Sequence, residues 1–171
     1  MELYRVLDDL NHVDDLIRKA AYVHLLDQGD VWIEDLLEEF PGIEGGARLS
    51  VIRAFGEIGD ERAVPLLLEA MRDRSPDSYF MTPSIAAKAL GQIGGEQVLS
   101  GLRDHLDDDE PAVRRMATMV LGHIGSDEAI EVLRFALVDD DHKVRAIAVE
   151  ALQKINTPRA HALIYSSRDL Q

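Results

Sequence analysis

Residues 112–125 read AVRRMATMVLGHIG, and residues 143–156, which start 31 positions later, read KVRAIAVEALQKIN. The same frame returns at 46–59 (GARLSVIRAFGEIG) and 81–94 (MTPSIAAKALGQIG), with a degenerate copy at 16–29 (LIRKAAYVHLLDQG). The copies end at Gly29, Gly59, Gly94, Gly125 and Asn156, so the steps are 30, 35, 31 and 31 residues. Self-similarity near this period means one supersecondary unit per step. Such a unit cannot bury its apolar face alone and must stack on its neighbours.

Each copy reads as a helix. In the fourth, Val113, Met116, Ala117, Val120, Leu121 and Ile124 fall at helical spacing on one broad face. Aromatic residues make up only 5% of the chain against 46% apolar residues in all, a balance that suits packed helices better than a β-sandwich. The closing Gly stands where a helix end needs a left-handed residue, and Asn156 is the usual substitute. Asp60, Ser126 and Thr157-Pro158 then read as N-caps and an N1 proline of the following helix. Shorter amphipathic helices are expected near 2–10, 31–40, 61–72, 96–106, 127–137 and 158–167. We call these the A helices and the repeated frame the B helices.

Gly56, Gly91 and Gly122 lie three residues before the closing residue, inside the B helices. A mid-helix Gly costs about 1 kcal/mol relative to Ala. Its recurrence predicts close approach of a neighbouring helix. The first and last copies carry Leu26 and Gln153 instead.

The runs LDDDEPAVRRMATMVLGHIGSDEAIEVL (106–133) and LVDDDHKVRAIAVEALQKINTPRAHALI (137–164) resemble HEAT-like repeats of the type first described in phycobilin lyase subunits, and the resemblance spans the chain. It implies an all-α fold: a right-handed α-solenoid (α–α superhelix) of about five helix pairs and a closing C-terminal helix. A single HEAT-like repeat domain of residues 1–171 is expected, with repeats at about 1–29, 30–59, 60–94, 95–125 and 126–156 and a cap over 157–171. It also implies a structural ladder of an Asp before helix B and an Arg in its first turn. Asp108 with Arg114, and Asp139 with Arg145, match that pattern. Arg18 and Arg48 match only its Arg half, and Pro83 breaks it in the third copy.

In such solenoids the B helices line the concave face. Counted from the Arg position, offsets +1, +5 and +9 project away from the core. They give Lys19, Leu49, Ser84, Arg115 and Ala146; then Val23, Arg53, Lys88, Met119 and Glu150; then Asp27, Glu57, Gln92, His123 and Lys154. The formal net charge is −14, yet Arg53, Lys88 and Arg115 gather in the central repeats of this face. One reading is a basic and apolar groove for an acidic partner segment, a protein or peptide, with Lys19, Arg53, Glu57, Lys88, Gln92, Arg115, Met119, His123 and Glu150 as contacts. The other is a solvated helix face whose charges pair with Glu57 and Glu150. The longer third step places DRSPDSYFMTP (73–83) as an insertion. Tyr79, Phe80 and Met81 make a second contact point, or else Phe80 or Met81 folds back over the core. Trp32 reads as partial core beside Ile33, Leu36, Leu37 and Phe40.

Other functions find little footing. The acidic balance disfavours nucleic acid and anionic membranes. There is no cysteine, no phosphate-binding Gly loop, no G-x-S-x-G and no H-E-x-x-H. The HEAT-fold iron hydroxylases use His-Glu dipeptides as ligands, and this chain has none. Acidic loops at Asp107–Glu110 and Asp139–Asp141 lack the spacing of an EF-hand and read as caps. No metal, cofactor or catalytic residue is therefore assigned. The acidic start lacks a signal peptide's character, so a cytoplasmic protein is the expectation. The expected function is a non-catalytic protein-interaction scaffold. A bilin-handling protein, either a lyase subunit or a phycobilisome-degradation factor, is the alternative that the resemblance supplies. Oligomeric state stays open, as does whether the Asp-rich, Arg-rich composition reflects a salt-adapted source.

Overall fold

The structure is a computed structural model that describes residues 2–73 and 81–168. Every regular element in the described residues is helical, and they fall into two compact units, residues 1–93 and 94–171.

The first unit contains α1 (Glu2–Leu10), α2 (Asp15–Asp27), α3 (Gly29–Glu39), α4 (Gly45–Ile58), α5 (Val64–Met71) and α6 (Met81–Ile93). Short 3-10 turns extend α3 (Phe40–Gly42) and lead into α5 (Glu61–Ala63). The predicted B helices are α2, α4 and α6. The core forms where α4 packs on α6, with α5 against α6 and both α1 and α2 against α4. Leu10, Leu25, Leu36, Ile52, Phe55, Leu67 and Leu90 are fully buried there. Phe40 meets Phe55 edge-on, with ring centroids 5.5 Å apart. Trp32 is buried as expected and touches the His24 ring edge-on.

The second unit contains α7 (Gly95–His105), α8 (Pro111–Ile124), α9 (Asp127–Ala136), α10 (His142–Ile155) and α11 (Pro158–Arg168). Here α8 and α10 are the B helices. They pack on each other and against α7, α9 and α11. Leu102, Leu121, Ile130, Leu133 and Leu152 form the buried centre.

The caps follow the sequence closely, with two corrections. Gly59, Gly125 and Asn156 are left-handed C-caps, at φ 77°, 61° and 56°. The Asp60 side chain accepts the Arg62 amide, Ser126 that of Ala129 and Thr157 that of Ala160. Gly29, however, is not a cap. Gln28 closes α2, and Gly29 begins α3 as a buried residue whose missing Cβ would lie 2.7 Å from the Ile58 side chain. Gly94 has a positive φ of 63° but a ψ of −153°, so it is not a left-handed C-cap and serves instead as the N-cap of α7.

Two of the mid-helix glycines, Gly56 and Gly122, mark close helix contacts. A Cβ on Gly56 would meet the Ala89 Cα at 2.6 Å, and one on Gly122 would meet the Ala151 Cβ at 2.5 Å. Each Ala lies two residues before the position equivalent to that Gly in the next B helix. The same contact is therefore built once in each unit, α4 on α6 and α8 on α10.

Candidate binding faces on the B helices

The Arg at the start of α2, α4, α8 and α10 is structural, though not in the expected register; α6 has Pro83 there. Arg114 donates from Nη1 to the carbonyl of Asp108 at 2.9 Å, and Arg145 to the carbonyl of Asp139 at 2.7 Å. Arg18 does the same to His12 and Val13, and Arg48 to Phe40 and Ile43. The Arg thus closes the A–B loop through backbone oxygens. The ion pair runs between repeats instead: Arg114 grips the Asp139 carboxylate of the next loop with two bonds, at 2.8 and 2.9 Å. Burial pushes the Asp139 carboxyl up. The Arg114 guanidinium and the Asp141 amide outweigh it and hold the group below the ordinary carboxylate value.

The predicted face residues are exposed or part-exposed in both units, but several are already engaged. In the first unit, Lys19 pairs with Asp15 at 2.6 Å. The Tyr22 hydroxyl on α2 donates to Glu57 on α4 at 2.8 Å, and the Arg53 guanidinium lies 5.8 Å from the Tyr22 ring centre. Burial first, and then the Glu57 hydrogen bond and charge, raise the Tyr22 hydroxyl well above the ordinary tyrosine value. Gln92 places its amide oxygen 2.7 Å from where a Gly56 Cβ would stand. Lys88 on α6 is exposed and has no ion-pair partner among the described residues. Its helix packs directly on that of Arg53.

In the second unit, Arg115 is part-buried and lies 3.3 Å from Asp141. Glu150 pairs with Lys154 at 2.7 Å along α10. Met119 on α8 is left 59% exposed, and His123 one turn on is exposed too. Arg53 and Lys88 thus belong to one unit and Arg115 to the other. Tyr22 is the residue that sequence reasoning missed; its only signal was a polar ring one turn after Arg18.

Tyr79 and Phe80 lie outside the described residues. Met81 opens α6, is exposed, and lines a cavity of about 900 Å³ in the first unit together with Phe40, Ile43, Arg48, Leu66 and Ala70. Arg48 lies 4.3 Å from the Phe40 ring centre on the cavity wall. Among the described residues no group of His, Asp or Glu is arranged to hold a metal ion, and no helix is long and apolar enough to cross a membrane.

Capped helix pairs, glycine-mediated contacts between B helices and loop-closing arginines define an all-α helical-repeat protein. The chain belongs to the HEAT-repeat family, whose profile matches residues 33–115 and 102–167. The fold is similar to that of a chain in the complex of CpcE and CpcF of phycocyanin lyase from Nostoc sp. PCC7120, at 20% identity and a TM-score of 0.54 over 94% of this chain and 68% of that one. It is also similar to an engineered protein, at 20% identity and a TM-score of 0.50 over 99% and 86% of the two chains. Human deoxyhypusine hydroxylase aligns at 18% identity and a TM-score of 0.48, over 98% of this chain and 78% of that one. No curated protein matches the chain in sequence.

Proposed function

We propose that the chain is a non-catalytic protein-interaction scaffold that binds an acidic partner segment on its B-helix faces. The observation that carries this reading is Lys88, an exposed cation without an ion pair among the described residues, beside the α4 face that bears Arg53. In a chain of net charge −14 such a site attracts carboxylates while the remaining surface repels them. Exposed Met119 and His123 give the second unit an adaptable apolar contact of its own. The likeness to a chain from a two-protein complex is in keeping with a protein partner.

The same likeness to a phycocyanin lyase chain favours a second reading, a bilin-handling protein in which Arg and Lys pair with propionates. The test is capture from the source lysate on immobilised wild type and on a folded Arg53→Glu/Lys88→Glu/Arg115→Glu variant. A protein held by wild type and lost by the variant supports the scaffold. Equal capture by both refutes the B-helix assignment. Visible bilin absorbance in the eluate replaces it with the second reading.

A further inference from the structure

A different cluster in the second unit has no role in that reading. Arg103 of α7 and Arg134 of α9 hold the same register in consecutive A helices, within LRDHL (102–106) and LRFAL (133–137). Both approach the Phe135 ring, their guanidinium carbons 5.0 and 4.7 Å from its centroid. Both are exposed, and neither has a carboxylate at ion-pair distance among the described residues. Arg62, Arg114, Arg115 and Arg159 each do. Phe135 stands where the preceding repeat has Asp104, and it stays 39% exposed. Val138, one turn on, is also exposed. A groove of about 310 Å³ runs from Arg134, Phe135 and Val138 to Leu163 and Ser167 of α11.

Two cations held near one ring gain from its quadrupole but leave their charges uncompensated. This occurs in a chain with 32 acidic side chains against 18 basic ones. The planar guanidinium fork suits a carboxylate better than any other common protein group. The ring edge and Val138 add an apolar contact at the same place, and the groove has room for a side chain or two. We propose that this patch docks an acidic peptide segment in which a carboxylate lies beside an aliphatic side chain. The proposal is independent of the B-helix face.

The test is fluorescence anisotropy of the full chain with a short labelled peptide that alternates Glu and Leu. Wild type binds it, and added salt weakens the binding. Arg103→Glu/Arg134→Glu, with an unchanged circular dichroism spectrum, loses affinity by about tenfold or more. Phe135→Ser weakens binding while keeping the charges. No binding by wild type would overturn the proposal, as would equal binding by the double Arg variant or equal binding of a Gln-for-Glu peptide. A concentration-dependent dimer in sedimentation, lost in the same double variant, would assign the patch to a second copy of the chain and overturn it too.

Discussion

Arg114 and Asp139 are joined by two hydrogen bonds between α8 and the loop before α10, with both side chains nearly buried. Removing Arg114 leaves the Asp139 carboxylate with little water and no counter-ion, whereas Arg114 without Asp139 still pairs with Asp140. Arg114→Leu should lower stability by about 3 kcal/mol in urea denaturation. Arg114→Leu/Asp139→Leu should lose less than the sum of the single variants, because the double variant strands no charge.

The same pair predicts an acid response. The folded-state value of Asp139 lies below its unfolded value, so the folded protein binds its proton less readily. Its contribution is fully present above the unfolded carboxylate value of about 4 and is lost as pH falls through the lower folded value. Asp139→Asn should therefore flatten the loss of stability on the acid side of about pH 4, with little change in slope near neutrality. Denaturation midpoints across acidic pH check this.

Gly122 sits against Ala151 with no room for a methyl group. Gly122→Ala gains about 1 kcal/mol of helix propensity. It should nevertheless be destabilising, by about 1–3 kcal/mol, because α8 and α10 must part. The swap Gly122→Ala/Ala151→Gly should recover part of the loss. Thermal melts of the three variants decide it.

Gly59 tests a different cause. A Cβ there has open space around it, but φ is 77°. Gly59→Ala should cost about 1 kcal/mol from backbone strain alone. Asn156→Gly should be close to neutral, since Gly adopts φ 56° freely, whereas Asn156→Val should be clearly destabilising.

Tyr22 predicts an alkaline response. Its raised hydroxyl stays neutral in the folded protein at pH values where the same tyrosine ionises in the unfolded chain. The stabilising contribution is complete below about pH 10 and falls as pH rises beyond it. Phenolate absorbance should show late titration of Tyr22, and of Tyr4, whose hydroxyl is raised by its hydrogen bond to Glu39; Glu57→Gln should bring only the Tyr22 step earlier.

Much of this architecture could be read from residue order. The repeated frame located every B helix, and the capping residues located the turns at Gly59, Gly125 and Asn156. The recurrent Gly56 and Gly122 announced close packing before any partner was known. These signals are local: periodicity and capping act within one or two turns of the chain, so each is written in adjacent residues. The degenerate first copy misled at Gly29, because a Gly chosen for packing beside Ile58 looks the same in sequence as one chosen for a positive φ.

Tertiary packing decided the rest. Residue order suggested that Asp139 serves Arg145, yet the spacing of stacked repeats hands its carboxylate to Arg114 and leaves its carbonyl for Arg145. The Tyr22–Glu57 bond exists only because α2 and α4 lie side by side. Arg103 and Arg134 meet at Phe135 for the same kind of reason. A side chain's charge and reach belong to its own residue. Its partner is set by which elements the buried apolar faces bring together, and no single segment of the chain carries that choice.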